Sequence, residues 1–161
     1  MKAFFFVVLV LISSLLPVSA QELEVVKFET LQQLLSGAGD TLNVVNFWAT
    51  WCGPCVKELP YFEALAKKTE NKKIRVLLVS MDDVKTLDSK VKPFVKQRKI
   101  KSKVVLLNEP DLNTWVDKLV PEWSGALPMT LILNDKRKIR KYIGKPVKEE
   151  ELYAIINQYK L

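Results

Sequence analysis

The sequence predicts a single α/β domain, a central mixed β-sheet flanked by helices on both faces. Three observations carry that reading. Mostly apolar runs bounded by turn signals, the pattern of strands buried on both faces, occur at Leu42–Trp48 and Ile74–Ser80. Stretches with apolar residues at helical spacing alternate with these runs. The last third changes rhythm to two runs joined by Asn134-Asp135, the layout of a hairpin, followed by one more helix. Strand-helix-strand units imply parallel strands with right-handed crossovers, and a hairpin adds antiparallel ones.

The elements follow in order. Lys2 precedes an apolar run over 3–16, and Val18-Ser19-Ala20 closes the stretch, the layout of a secretory signal cleaved after Ala20. The run falls short of the roughly 20 residues that span a bilayer. The expected organisation is a signal peptide over 1–20 and one domain over 21–161, working in the periplasm or another extracytoplasmic space. A short strand is expected near 25–28, then a helix over 29–36 that Gly37 and Gly39 end. Leu42–Trp48 feeds straight into Trp51-Cys52-Gly53-Pro54-Cys55. Val56, Leu59, Phe62, Leu65 and Ala66 then recur at helical spacing, which puts Cys52 at a helix N-terminus, with Pro60 expected to kink that helix.

After the strand Ile74–Ser80 comes a helical stretch carrying Leu87, Val91, Phe94 and Val95, with Pro93 inside it. A strand over 104–107 leads to Leu112, Trp115, Val116 and Leu119, spaced as i, i+3, i+4 and i+7 of a further helix. Hairpin strands are expected over 129–133 and 138–143, ending at Gly144. The final helix carries Glu149, Glu150 and Glu151 in its first turn, where acids suit the dipole, and Leu152, Ile155, Ile156 and Tyr159 on its buried face.

Composition narrows the chemistry. Lys and Arg number 25 against 18 Asp and Glu, a formal charge of +7 that favours solubility and acidic partners; an exported protein with this spread of charge is not expected to bind nucleic acid. The basic runs at 136–141 and 96–103 read either as docking patches or as solvated faces. Histidine is absent from all 161 residues, which removes Cys-His nucleophiles, Ser-His-Asp triads and His metal ligands together. The two cysteines sit in one motif, so no separate structural disulfide forms within the chain. Two cysteines supply half a zinc site, so no stable metal is expected, and no cofactor beyond a Cys52–Cys55 disulfide.

Two sulfurs three residues apart at a strand-to-helix junction lie one helical turn from each other, close enough to bridge and open without large backbone movement. The orphan N–H groups and macrodipole at the helix start favour a thiolate on the first. Such sites bring a cysteine into a range of about 3.5 to 7.5, so Cys52 is the expected nucleophile and Cys55 the resolving thiol. An inert structural bridge is the poorer reading, because so short a loop restricts the unfolded chain little.

The run Val45-Asn46-Phe47-Trp48-Ala49-Thr50-Trp51-Cys52-Gly53-Pro54-Cys55, followed by Glu58-Leu59-Pro60, resembles the exported TlpA/ResA-type branch of the thioredoxin family. The resemblance implies a thioredoxin-like fold and exchange of disulfides with other exported proteins. Within Ala126-Leu127-Pro128-Met129-Thr130, it implies that Pro128 is the cis-proline facing the dithiol, holding the backbone around Leu127 open for an extended substrate segment. Gly53 and Pro54 between the cysteines resemble the reducing members, which implies a reductase supplied by a membrane donor of CcdA or DsbD type and acting on substrates such as apocytochrome c. An exported oxidase or disulfide isomerase, or a Cu(I)-carrying binding module, are the alternative readings.

One departure bears on mechanism. Asn46 stands where thioredoxin carries a buried Asp, and an amide cannot serve as a general base. Glu58, three residues past Cys55 on the same helix, is a candidate to deprotonate it, or else a solvated helix carboxylate. Trp51 is expected in an apolar rim at the dithiol and Trp48 in the core. Trp123 lines the substrate surface or simply packs. The segment from Asp82 to Trp123 is expected to shape substrate choice.

Overall fold

A computed structural model describes residues 23–36, 39–70 and 72–159. The expected signal peptide at 1–20 and the stop at Gly37 lie outside the described residues. The six-stranded sheet has β1 (Glu24–Val26), β2 (Leu42–Trp48), β3 (Ile74–Ser80), β4 (Lys103–Leu107), β5 (Met129–Asn134) and β6 (Ile139–Ile143), in the order β1-β4-β3-β2-β5-β6. β1, β4, β3 and β2 run parallel to one another, whereas β5 is antiparallel both to β2 and to β6, its partner in the hairpin.

Helices α1 (Phe28–Ser36), α2 (Gly53–Lys68), α3 (Lys92–Gln97), α4 (Val116–Leu119) and α5 (Glu149–Asn157) cover the two faces. All seven residues of β2 are buried. Because strand side chains alternate, its two sides join different cores. Leu42, Val44 and Trp48 pack with Leu59, Phe62 and Leu65 of α2 and Leu152, Ile155 and Ile156 of α5. Val45 and Phe47 pack instead with Phe28, Leu31 and Leu35 of α1, and with Trp115, Leu119 and Trp123.

Several boundaries differ from expectation for physical reasons. Phe28 opens α1 instead of closing β1, because the Glu109 carboxylate accepts its amide at 3.2 Å. Helix α2 runs through Pro60 as one element. The stretch before β4 is a 3-10 turn at Val84–Thr86, a π-helical turn at Leu87–Val91 and then α3, with Pro93 in the first turn of α3, where its missing N–H is not needed.

The helix expected through Leu112, Trp115, Val116 and Leu119 is broken. A 3-10 turn at Leu112–Thr114 is separated from α4 by Trp115 at φ −141° and ψ −23°. That break turns the Trp115 ring into the core while Leu112 stays 37% exposed. The hairpin turn places Lys138 at φ 54°, so β6 begins one residue later than expected.

Candidate active site

The site begins where β2 ends. The chain passes from Trp48 through Ala49, Thr50 and Trp51 to Cys52, the N-cap residue of α2. Asp82, just past the end of β3, pins this turn: its carboxylate accepts the Thr50 amide at 3.0 Å, the Thr50 hydroxyl at 2.5 Å and the Ser80 hydroxyl at 2.9 Å. The Met81 amide donates to the Trp48 carbonyl at 2.8 Å, extending the β2–β3 ladder to the edge of the motif. Asp82 is buried and so is its bond to Ser80, while its bonds to the half-buried Thr50 are partly sheltered from water.

Cys52 and Cys55 form a disulfide with Cα atoms 5.3 Å apart. The Cys55 amide donates to the Cys52 Sγ at 3.3 Å, so one orphan N–H of the helix start points at the sulfur expected to carry negative charge. Cys52 keeps 6% exposure and Cys55 has none, so an incoming reactant meets Cys52 first. Gly53 and Pro54 are exposed. A Cβ on Gly53 would meet nothing within 4 Å, so crowding does not dictate that glycine. Trp51, next to Cys52 in the chain, stands 70% exposed, while Trp48 is fully buried in the core as expected.

The Leu127–Pro128 peptide bond is cis. Phe47 lies opposite Met129 in the β2–β5 ladder, which brings Pro128 to the end of the sheet from which the cysteines emerge. Trp123 packs against Phe47 at 5.1 Å and Trp115 at 5.6 Å, and its indole N–H donates to the Ala126 carbonyl at 2.7 Å. It therefore supports the proline loop from beneath and does not line a surface.

Glu58 is not a solvated carboxylate. It is 1% exposed, with Oε1 accepting from Asn46 Nδ2 at 2.7 Å and Oε2 from the Val147 amide at 2.7 Å. Burial pushes its carboxyl up to about 7, and the two hydrogen bonds only partly oppose that rise. Asn46 also faces the Thr130 hydroxyl at 3.3 Å, while its Oδ1 is buried without a partner among the described residues. A carboxyl held up at about 7 by burial thus lies three residues beyond Cys55, on a helix position that shares its face. Sequence reasoning singled out Glu58 and Asn46 but missed Asp82, Thr130 and the Val147 amide. The position of Asp82 at the C-terminal end of a strand adjoining β2 is the signal that pointed to it, since sites in such sheets gather at those ends.

The chain is similar to known proteins over most of its length. The model of the AhpC/TSA family matches residues 18–142. Thiol-disulfide oxidoreductase ResA of Bacillus cereus is 34% identical over 108 residues, covering 66% of this chain and 57% of ResA. Sporulation thiol-disulfide oxidoreductase A of Bacillus subtilis is 26% identical over 110 residues, 68% of this chain and 63% of that protein. The chain thus spans less than two thirds of the length of either relative. The thioredoxin-related protein of Neisseria meningitidis serogroup B superposes with a TM-score of 0.62 at 25% identity, covering 73% of this chain and 83% of its own. A thioredoxin-like sheet carrying a dithiol at the start of α2, matched over most of its length by one family model, leads to a single assignment: the chain belongs to the AhpC/TSA family.

Proposed function

We propose that the protein is a thiol-disulfide oxidoreductase that reduces disulfides in other exported proteins. The observation that carries this reading is the Cys52–Cys55 disulfide at the start of α2, with Cys52 keeping a little exposure and Cys55 fully enclosed. In the reduced protein the Cys52 thiolate attacks one sulfur of a substrate disulfide. A Cys52–substrate mixed disulfide forms, and the first substrate sulfur leaves as a thiolate that takes up a proton. Cys55 then gives its proton to the Glu58 carboxylate and attacks the Cys52 sulfur. The mixed disulfide breaks, the Cys52–Cys55 bond forms, and the second substrate thiolate leaves and is protonated. Two electrons pass from the dithiol to the substrate, whose two thiolates take one proton from water and the equivalent of the Cys55 proton as Glu58 releases it, and the protein ends oxidised.

Export follows from the signal expected at 1–20. An oxidising compartment then demands that electrons arrive through the membrane, from a donor of CcdA or DsbD type, and the ResA-like sequence supports substrates such as apocytochrome c. Gly53 and Pro54 between the cysteines favour the reducing direction. The test is the reduction potential of the Cys52–Cys55 couple by equilibration with glutathione. A value more negative than about −200 mV is expected, and one near the roughly −120 mV of a strong disulfide oxidant overturns the direction.

A further inference from the structure

Beside the dithiol lies a cleft of about 770 Å³, bounded by chain segments that meet at the carboxyl end of the sheet. Trp51 borders it from the motif, Met81 from just past β3, Leu107 from the end of β4, Leu112 from the segment after β4, and Leu127 from the proline loop. Among the described residues only three large apolar side chains are exposed, and two of them, Trp51 and Leu112, line this one cleft. Soluble surfaces scatter such residues singly, so their convergence next to a reactive sulfur marks a place where apolar surface is covered during function.

The walls are braced from below. The Trp115 indole N–H donates to the Glu109 carbonyl at 3.3 Å, and the Trp123 indole N–H to the Ala126 carbonyl at 2.7 Å. The two rings touch, with centroids 5.6 Å apart. One aromatic pair therefore fixes both the wall after β4 and the wall formed by the proline loop, so the cleft is shaped before anything enters it.

Its charge is opposite to that of the protein. The chain carries a formal +7. Asp82, Asp83 and Glu109 border the cleft, against Lys85 alone among the basic residues that line it. Asp82 is committed to Thr50 and Ser80. Asp83 is exposed and uses one oxygen to cap the Lys85 amide at 2.9 Å, and Glu109 meets Lys27 at 3.8 Å. A negative mouth on a basic protein selects for positive charge and rejects acidic segments.

We infer that this cleft recognises the substrate segment flanking the attacked cysteine, and that it takes a bulky apolar side chain together with a Lys or Arg. Leu112, Met81 and Leu127 hold the apolar group; Asp83 and Glu109 hold the cation. The inference rests on the proposed exchange with protein disulfides and adds the chemical class of segment that the site prefers.

The test uses the reduced full-length protein and two synthetic peptides, each with a single internal disulfide. One carries Leu-Lys beside the first cysteine and the other Ala-Glu, and hydroxyethyl disulfide, which has no flanks, serves as a third probe on the wild type. The expected result is reduction of the Leu-Lys peptide about tenfold faster than the Ala-Glu peptide. Leu112→Ala, and separately Asp83→Asn with Glu109→Gln, bring that ratio toward one; the charge variants act mainly at low salt. Both polar variants keep the oxygens that accept the Lys85 and Phe28 amides. A ratio measured within one preparation is also insensitive to any unfolded fraction. Equal rates on the two peptides, or a ratio unmoved by either variant, overturn the cleft assignment while reduction of hydroxyethyl disulfide continues. Failure of the wild type on all three probes overturns the exchange reaction itself, and the assignment with it.

Discussion

Replacing Glu58 by Gln removes an ionisation from the core while leaving an oxygen for the Val147 amide, and the thermodynamic effect can be worked out from the site. In the folded protein burial raises the Glu58 carboxyl from 4.5 to about 7. Below pH 4.5 the group is neutral in both folded and unfolded chains and exerts no pH-dependent effect. Between 4.5 and about 7 the unfolded chain releases its proton while the folded one holds on, so the folded state binds more protons and stability falls as pH rises. Above about 7 both forms are ionised and the loss stays constant. At about 1.4 kcal/mol for each pH unit of that interval, the wild type gives up about 3 kcal/mol between acid and alkaline conditions. Glu58→Gln gives up none of it. The Gln amide also finds a ready acceptor, because turning the Asn46 side chain offers the Oδ1 that now lacks a partner. Urea unfolding of the oxidised wild type and variant, measured from pH 4.5 to 8.5, checks this. The variant is expected to gain on the wild type by about 3 kcal/mol across the range, with the change centred between pH 4.5 and 7. Asp40 and Glu151, held low by Arg137 and Lys145, shift stability with the opposite sign in the acid range. They are common to both proteins and cancel in the difference. Parallel curves would refute the buried, proton-holding Glu58. In rapid-mixing experiments the same variant is expected to lose the rise in resolving rate near pH 7, because no carboxylate remains to take the Cys55 proton.

Two further substitutions probe the frame around the dithiol. Asn46→Asp sets a second carboxyl against Glu58; the two cannot both ionise cheaply, so the variant is expected to match the wild type near pH 4.5 and to fall at least about 2 kcal/mol below it at pH 8, measured by the same unfolding series. Asp82→Ala strands the Thr50 amide and the Thr50 and Ser80 hydroxyls in a partly buried turn, with an expected loss of about 2 kcal/mol and a several-fold slower reduction of substrates, whereas Asp82→Asn, which keeps an acceptor oxygen, recovers most of both.

What the sequence revealed, and what it withheld, follows from the range of the interactions involved. Strand β2 was legible to the residue because its burial on both faces is written in a mostly apolar run with turns on either side. The dithiol was legible because its chemistry depends on a spacing of three residues and a helix start, both local. Glu58 was half legible: its spacing from Cys55 placed it on the right face, but its burial depends on Asn46, 12 residues away, and Val147, 89 away. Asp82 acts on Thr50 across 32 residues through the β2–β3 pairing, and no local pattern announces that. The pattern at Leu112, Trp115, Val116 and Leu119 misled because three of its members are buried by the core while the fourth belongs to the cleft. Apolar spacing alone does not distinguish the two uses.

The alternation of β2 ties chemistry to recognition. Asn46 points to the side covered by α2 and bonds Glu58, whereas its neighbour Phe47 points to the other side and packs beneath Trp123, which holds the proline loop. One peptide unit therefore sets the height of the proton acceptor on one face and of the cleft wall on the other, and both are referenced to the strand that delivers Cys52. A one-residue slip of β2 would send Asn46 toward the tryptophans and Phe47 toward Glu58, leaving a buried carboxyl without its donor and the wall without its support. Such a slip is resisted by pairing on both edges, to β3 from Leu42 to Trp48 and to β5 from Asn43 to Phe47. The central place of β2 in the sheet is thus what allows an exchange site and its recognition surface to be built on alternate residues of a single strand.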